Sequence, residues 1–366
     1  MITVLLLTWN GAEHLAGCLA ALRAQLGGPP ALLVVDNGSH DESLALVRQH
    51  YPEAEVIANG RNLGFSGGMN VGLRRLLKNQ EPRTKNQSPQ GNEGNKGNDD
   101  QSSKTFPSFP LSLQPSQFSP LNSQFVLLLN QDTLVSPDWV EQLVAPFGED
   151  ERIGAVGCKI FYPDGVTLQH AGGVLDGARA SSTHRGYGER DMGQYDQPCE
   201  LEFVTGAALA LRLSALAEVG LFDEGYNPAY YEEVDLCWRL RRAGYTVRYQ
   251  PTATLRHAES ASITNLVRRS TLANRNRLRF VVKTFDSERL WNDFLLAERM
   301  RLATLPNSTE TEVLRRAYLE GVLQREEWIA ARAQFHPLRD GETARLRQLC
   351  AGLRRDMVAF DRGRVL

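Results

Sequence analysis

The chain is poor in cysteine, carries no strong charge of either sign, and has no apolar run long enough to cross a bilayer. Its five cysteines, Cys18, Cys158, Cys199, Cys237 and Cys350, are odd in number, widely spaced and form no CxxC pair. That pattern suggests neither a disulfide framework nor a zinc site, and points to a reducing compartment. Lys+Arg 41 against Asp+Glu 43 leaves a formal charge of -2. No surface-wide field attracts a polyanion, so a nucleic-acid partner is not expected. The apolar start at residues 1–8 has no basic leader and meets polar residues within a strand's length, too short for a signal peptide or a span. A cytoplasmic protein is expected. The first turn also lacks the GxGxxG fingerprint, which leaves a nicotinamide-dependent oxidoreductase with little behind it.

What the chain does have is an alternation of strands and helices. Residues 2–8, 32–36 and 54–58 read as strands, and 14–25, 41–49 and 70–77 as helices. This is the βαβ signature of a largely parallel sheet. The next strand is delayed by residues 79–123, rich in Asn, Gln, Ser, Pro, Gly and Lys. Too few apolar groups lie there to offset the entropy of ordering, so a disordered insertion is expected. Its Phe106, Phe109, Leu111, Leu113 and Phe118 are candidates for weak docking. Beyond it come a strand ending at Asp132, a helix over 139–147, a strand over 155–160, hairpins and loops over 164–193, a strand over 203–211 and a helix over 214–219. A well-marked helix opens at Glu232 and closes at Gly244, a residue suited to a left-handed cap. From Asn265 the chain reads as helical and arginine-rich, with breaks at Pro306 and Pro337. The division is an α/β domain over 1–262 and a helical region over 263–366.

Several residues could carry chemistry. The run Phe125-Val126-Leu127-Leu128-Leu129 stops at Asn130-Gln131-Asp132-Thr133. Such a run suits a strand buried on both faces, and ligands of open α/β sheets collect beyond the carboxyl ends of strands. Asp132 then sits at the mouth of a site, although the same residue types also cap turns and helices. The turns Thr8-Trp9-Asn10-Gly11 and Asp36-Asn37-Gly38-Ser39 fall on the same edge. Asp36 would accept from a nucleobase imide or ribose hydroxyls, or would cap its own turn. The glycines in Asn62-Leu63-Gly64-Phe65-Ser66-Gly67-Gly68-Met69-Asn70 let backbone amides approach an anion at a helix start.

Glu232, Glu233 and Asp235 open the later helix. Glu232 and Asp235 share a face, Glu233 points roughly a hundred degrees away, and the helix dipole is expected to keep such carboxylates ionised. His257 would complete a metal site with Asp132, while His170 and His184 have weaker claims. Arg268, Arg269, Arg275, Arg277 and Arg279 would meet phosphates or form a solvated face, the second being the expectation.

The order of these pieces resembles the inverting family 2 glycosyltransferases of the GT-A fold, in particular the bacterial rhamnosyltransferase-like branch. Thr8-Trp9-Asn10 looks like the family's T-Y-N start, Asp36-Asn37-Gly38-Ser39 its D-N-x-S turn, and Asn62 to Asn70 its N-x-G-F-A-G-G-x-N element. Asn130-Gln131-Asp132 stands in the place of D-x-D, Tyr231-Glu232-Glu233-Val234-Asp235-Leu236 in that of F-E-D-x-D-L, and Asn274-Arg275-Asn276-Arg277-Leu278 is similar to a downstream R-N-R-L element.

The resemblance implies an α/β GT-A mixed sheet with flanking helices and a helical carboxyl-terminal extension. It implies a dTDP- or UDP-linked sugar donor, possession of Mg²⁺ or Mn²⁺, and transfer of a sugar such as rhamnose with inversion to a saccharide or lipid-linked acceptor. Thr8, Asn10, Asp36, Asn62, Gly67, Gly68, Asn70 and Asn130 would bind donor, and Asp132 and His257 the metal. Glu233 would be the base, with Glu232 and Asp235 as alternatives. Two positions depart from the pattern: Asn130 replaces the first aspartate of D-x-D, and Glu233 the usual aspartate. A noncatalytic nucleotide-sugar-binding or scaffold subunit is the alternative reading, and peripheral membrane contact through the arginine-rich helices is a further expectation.

Overall fold

The apolar residues before Asn130 lie at the centre of a sheet that is covered on both faces. A computed structural model describes residues 2–78, 123–259, 265–304, 309–336 and 338–361. The expected insertion, apart from Ser123, lies outside the described residues, as do its Phe106, Phe109, Leu111, Leu113 and Phe118 and the breaks at Pro306 and Pro337.

Strand β1 (Ile2–Thr8), helix α1 (Ala12–Arg23), strand β2 (Ala31–Asp36), helix α2 (Ser43–His50), strand β3 (Glu55–Ala58) and helix α3 (Gly64–Leu77) alternate, and strand β4 (Phe125–Asn130) follows. The order β3-β2-β1-β4 is parallel throughout, with Thr8 opposite Asp36, Asp36 opposite Ala58 and Leu7 opposite Asn130. Four carboxyl ends therefore share one edge. Val4, Leu6, Leu127 and Leu129 enter one buried cluster, and Leu5, Val126 and Leu128 the other. That alternation is the period-two geometry of pleated strands with both faces covered. α3 lies close on β1 because Gly68 and Gly72, one turn apart, leave room for Leu7 and Leu5.

The chain continues through β5 (Thr133–Val135), α4 (Trp139–Val144), β6 (Ile153–Phe161), β7 (Leu168–His170), β8 (Gly173–Leu175), β9 (Ser182–His184), β10 (Cys199–Glu200) and β11 (Ala208–Arg212). Then come α5 (Leu213–Val219), α6 (Glu232–Arg242), β12 (Thr246–His257), α7 (Leu266–Thr284), α8 (Leu295–Thr304), α9 (Thr309–Leu323), α10 (Arg325–Ala333) and α11 (Glu342–Asp361). β11 is antiparallel to β4 and to β6, and β12 is parallel to β6. The sheet is thus mixed, in the order β10-β12-β6-β11-β4-β1-β2-β3 among the described residues. β12 points the same way as β4, so its last residue, His257, reaches the edge where β4 ends.

Three boundaries differ from the sequence expectation for local reasons. α3 starts at Gly64 rather than residue 70, because Asn62 Oδ1 accepts from the Gly64 amide at 2.8 Å and satisfies a donor of the first turn. β4 stops at Asn130 rather than Asp132, where the Thr133 hydroxyl donates to the Asn130 carbonyl at 2.8 Å and the chain turns into β5. The strand expected over 203–211 begins only at Ala208. Ahead of it Phe203 and Val204 fill the space over Gly173 and Gly157, where no Cβ would fit. Among the described residues of the helical region, Leu278, Phe280, Leu314, Trp328 and Leu346 belong to the same buried cluster as Leu5 and Leu128.

Candidate active site

Asp132 and His257 meet at the shared edge. β5 pairs antiparallel with β12, placing Thr133 opposite His257, and the Ala258 amide donates to the Asp132 carbonyl at 3.0 Å. Asp132 Oδ1 lies 3.2 Å from His257 Nε2, the side chains being 8% and 10% exposed. The other ring nitrogen, Nδ1, lies 2.7 Å from Gln169 Oε1. An amide oxygen only accepts, so Nδ1 carries a proton. In the neutral ring Nε2 then presents its lone pair to the carboxylate. A carboxylate oxygen and an imidazole nitrogen converging in this way suit a shared cation, and the O/N donor set fits Mg²⁺ or Mn²⁺. Among the described residues no group of three or more His, Cys, Asp and Glu is arranged to hold a metal ion. Ligand oxygens would have to complete the shell.

The turns beside this pair are tied together by side chains. The buried Thr8 hydroxyl donates to Gln131 Oε1 at 2.6 Å, and Gln131 also bonds the Trp9 backbone. Asn10, left-handed at φ 46, accepts from the His40 amide at 2.9 Å. Asp36 is buried and accepts from the Gly38 and Ser39 amides at 3.1 and 3.2 Å. Asn37 reaches Asn62 Oδ1 at 3.4 Å and the Gly64 carbonyl at 3.0 Å. Asn62 and Asn10 are exposed at this edge, and Asn130 is half-buried.

Part of the expected donor-binding set faces inward instead. Gly67 and Gly68 are buried within α3, Gly68 against Leu7 and Asn37 and Gly67 against Leu63 near Asn227 and Glu224. Asn70 accepts from the Phe222 amide at 3.0 Å and donates to the Phe222 carbonyl at 2.9 Å and to Glu224 at 3.0 Å. Its amide joins α3 to the segment before α6 and is spent inside the protein.

That segment leads to the acidic helix start. Tyr230 and Tyr231 are both left-handed, at φ 81 and 74, a conformation costing an L residue about 1–2 kcal/mol. α7 holds the turn in place: Asn276 Nδ2 lies 2.7, 2.8 and 2.8 Å from the carbonyls of Tyr226, Ala229 and Tyr230. Arg275 donates to the Asn227 carbonyl at 2.7 Å. The Pro228 carbonyl accepts from the Phe65 amide at 3.2 Å, so the turn before α6 is packed against the start of α3.

Glu232 is buried and Glu233 half-buried, and Oε2 of each is enclosed without a hydrogen-bond partner. Burial pushes the Glu233 carboxyl up to about 7. Burial, followed by the Glu233 charge beside it, holds Glu232 well above the usual carboxylate range. The dipole was expected to keep this first turn ionised; desolvation outweighs it here. Asp235 is engaged differently. It accepts from Arg239 Nε at 2.8 Å and from the Tyr226 hydroxyl at 3.1 Å, and lies 2.7 Å from Lys283 Nζ. Both of its oxygens are committed inside the core.

The arginines of α7 also depart from expectation, forming neither a phosphate cluster nor a solvated face. Arg275, Arg277 and Arg279 are buried. Arg277 pairs with Glu298, and Arg279 with Asp223 at 3.0 Å and Glu327 at 2.7 Å. Only Arg268 and Arg269 lie further out, paired at 2.7 Å with Glu320 and at 2.8 Å with Glu259. Among the described residues no helix is long and apolar enough to cross a membrane.

Sequence reasoning missed Gln131 and Gln169. Gln131 stood inside a quoted motif, whereas Gln169 had no local signal: its contact with His257 spans 88 residues.

A family model described as "Glycosyltransferase like family 2" matches residues 1–279. The uncharacterized protein y4gI of Sinorhizobium fredii is 33% identical over 41% of the chain, a stretch equal to 18% of that protein. An N-acetylglucosaminyl-diphospho-decaprenol L-rhamnosyltransferase of Mycobacterium tuberculosis is 26% identical over 72% of the chain and 77% of its own length. The crystal structure of GalNAc-T7 with UDP, GalNAc and Mn²⁺ matches with a TM-score of 0.53 at 14% identity, covering 92% of this chain and 58% of that one. The fold is GT-A.

Proposed function

The chain belongs to glycosyltransferase-like family 2, and from that membership we propose that it moves a sugar from a nucleotide-diphosphate donor to a saccharide or lipid-linked acceptor with inversion. The observation that carries this reading is the Asp132–His257 pair, 3.2 Å apart at the carboxyl edge of the sheet. Asp132 and His257 would hold Mg²⁺ or Mn²⁺, which when bound would neutralise charge on the donor's diphosphate. The exposed Asn10 and Asn62, with the buried Asp36 behind them, would shape the nucleotide side. Rhamnose is the sugar suggested by the relative in Mycobacterium tuberculosis named as an L-rhamnosyltransferase, and the resemblance to the rhamnosyltransferase-like branch adds a dTDP or UDP donor and a cell-envelope polysaccharide product.

Glu233 serves as base. Its carboxylate takes the proton of the acceptor hydroxyl while that oxygen bonds to the anomeric carbon and the bond to the diphosphate breaks from the opposite face, releasing nucleoside diphosphate. A value near 7 lets a carboxylate accept a proton at neutral pH more readily than an ordinary one. The residue is half-buried, and its Oε2 makes no hydrogen bond to the protein. A mass-spectrometric screen of dTDP- and UDP-linked sugars with Mn²⁺ tests the proposal. Release of nucleoside diphosphate from at least one donor is expected; binding without turnover on every donor and acceptor would favour the noncatalytic subunit instead.

A further inference from the structure

Behind His257 stands Gln169, on β7, with its amide oriented from both ends. Gln169 Nε2 donates to Glu259 Oε2 at 3.4 Å, and Glu259 is held in turn by Arg269 Nη2 at 2.8 Å. A carboxylate accepts only, so the amide nitrogen faces Glu259 and the oxygen is left for His257 Nδ1 at 2.7 Å. The residue after Gln169, His170, is buried with its Nδ1 3.1 Å from His184 Nδ1. Gln169 itself is 6% exposed, so its side chain has little freedom to turn.

We propose that Gln169 is a positioning residue for the cation site, holding His257 in the tautomer that turns the Nε2 lone pair toward the ion shared with Asp132. The inference rests on the metal-assisted reading above. It follows from direction alone: with Arg269, Glu259 and Gln169 in series, each donor meets an acceptor, and the ring can enter the series only with its proton on Nδ1. Partners of this kind behind a metal-bound histidine are worth about 10- to 100-fold in metal affinity.

The test is Mn²⁺ binding to the full-length protein in the presence of UDP, read from the electron paramagnetic resonance of the free ion. Gln169→Leu should weaken Mn²⁺ binding by about 10- to 100-fold. The exchange Gln169→Glu with Glu259→Gln, which keeps an acceptor facing Nδ1 and a donor behind it, should restore it. Wild-type affinity in Gln169→Leu would overturn this inference alone, whereas a wild-type protein that binds no Mn²⁺ would overturn the metal-assisted reading beneath it. A second readout covers a Gln169→Leu variant that does not fold. Long-range nitrogen–proton NMR correlations of the wild-type His257 ring, without metal in mildly alkaline buffer, should place the proton on Nδ1; a proton on Nε2 would overturn the proposal.

Discussion

Lys283 Nζ lies 2.7 Å from Asp235 Oδ1, joining α7 to α6 through two side chains that are 3% and 0% exposed. Arg239 meets the other oxygen of Asp235 at 2.8 Å, and Lys283 also reaches Asp223 at 2.8 Å. Truncating one partner of a buried pair leaves an uncompensated charge and costs about 3–5 kcal/mol. Lys283→Met should therefore lower the unfolding free energy in urea by about 3 kcal/mol, with donor binding retained below the transition. Asp235→Asn should likewise lower stability. Wild-type stability with turnover abolished in Asp235→Asn would move the base to that residue.

The Glu233 carboxyl sets a pH dependence of definite sign. Its ordinary value is 4.5, and in the folded protein burial pushes it up to about 7. Between these values the folded state binds more protons than the unfolded chain, so the stability it contributes is present below 4.5 and is lost as pH rises through about 7. Turnover runs the other way, rising as the base loses its proton. Urea unfolding across this range, beside a pH–rate profile, checks both trends. Glu233→Gln should flatten its part of the stability change and lower turnover by about 10²- to 10⁴-fold while leaving donor binding unchanged.

Asn276 holds the left-handed turn that presents this helix. Replacing it with alanine leaves the Tyr226, Ala229 and Tyr230 carbonyls without the amide they share, and a buried polar group left unmade costs about 1–3 kcal/mol. Asn276→Ala should lose about that much stability or more by thermal melting. It should also lower kcat more than it raises the donor KM, because the displaced element carries Glu233 and not the metal pair. A variant with wild-type kcat would show that the turn holds its shape without this side chain.

The parallel half of the sheet was legible from apolar runs ending in polar turns, and the Asp132 to His257 pairing from the order of motifs. Other features depended on contacts distant in sequence. The α7 arginines read as solvated because their acidic partners Glu298, Asp223 and Glu327 lie 21, 56 and 48 residues away. The three acids of α6 could not be ranked by helical spacing, since what separates them is depth and company. Asp235 meets Arg239 and Lys283, whereas Glu232 and Glu233 each keep an unpartnered oxygen. Asn70 looked like a ligand-binding asparagine because nothing local announces that Phe222 will lie beside it.

Donor turnover by the wild-type protein and Asp132→Asn, followed side by side with Mn²⁺ by release of nucleoside diphosphate, tests whether sugar transfer depends on the Asp132 carboxylate. The substitution keeps the side chain's size and removes the charge that faces His257. Turnover by the wild type and a loss of about 10²-fold or more in the variant are expected. Equal turnover by the two proteins would contradict that dependence.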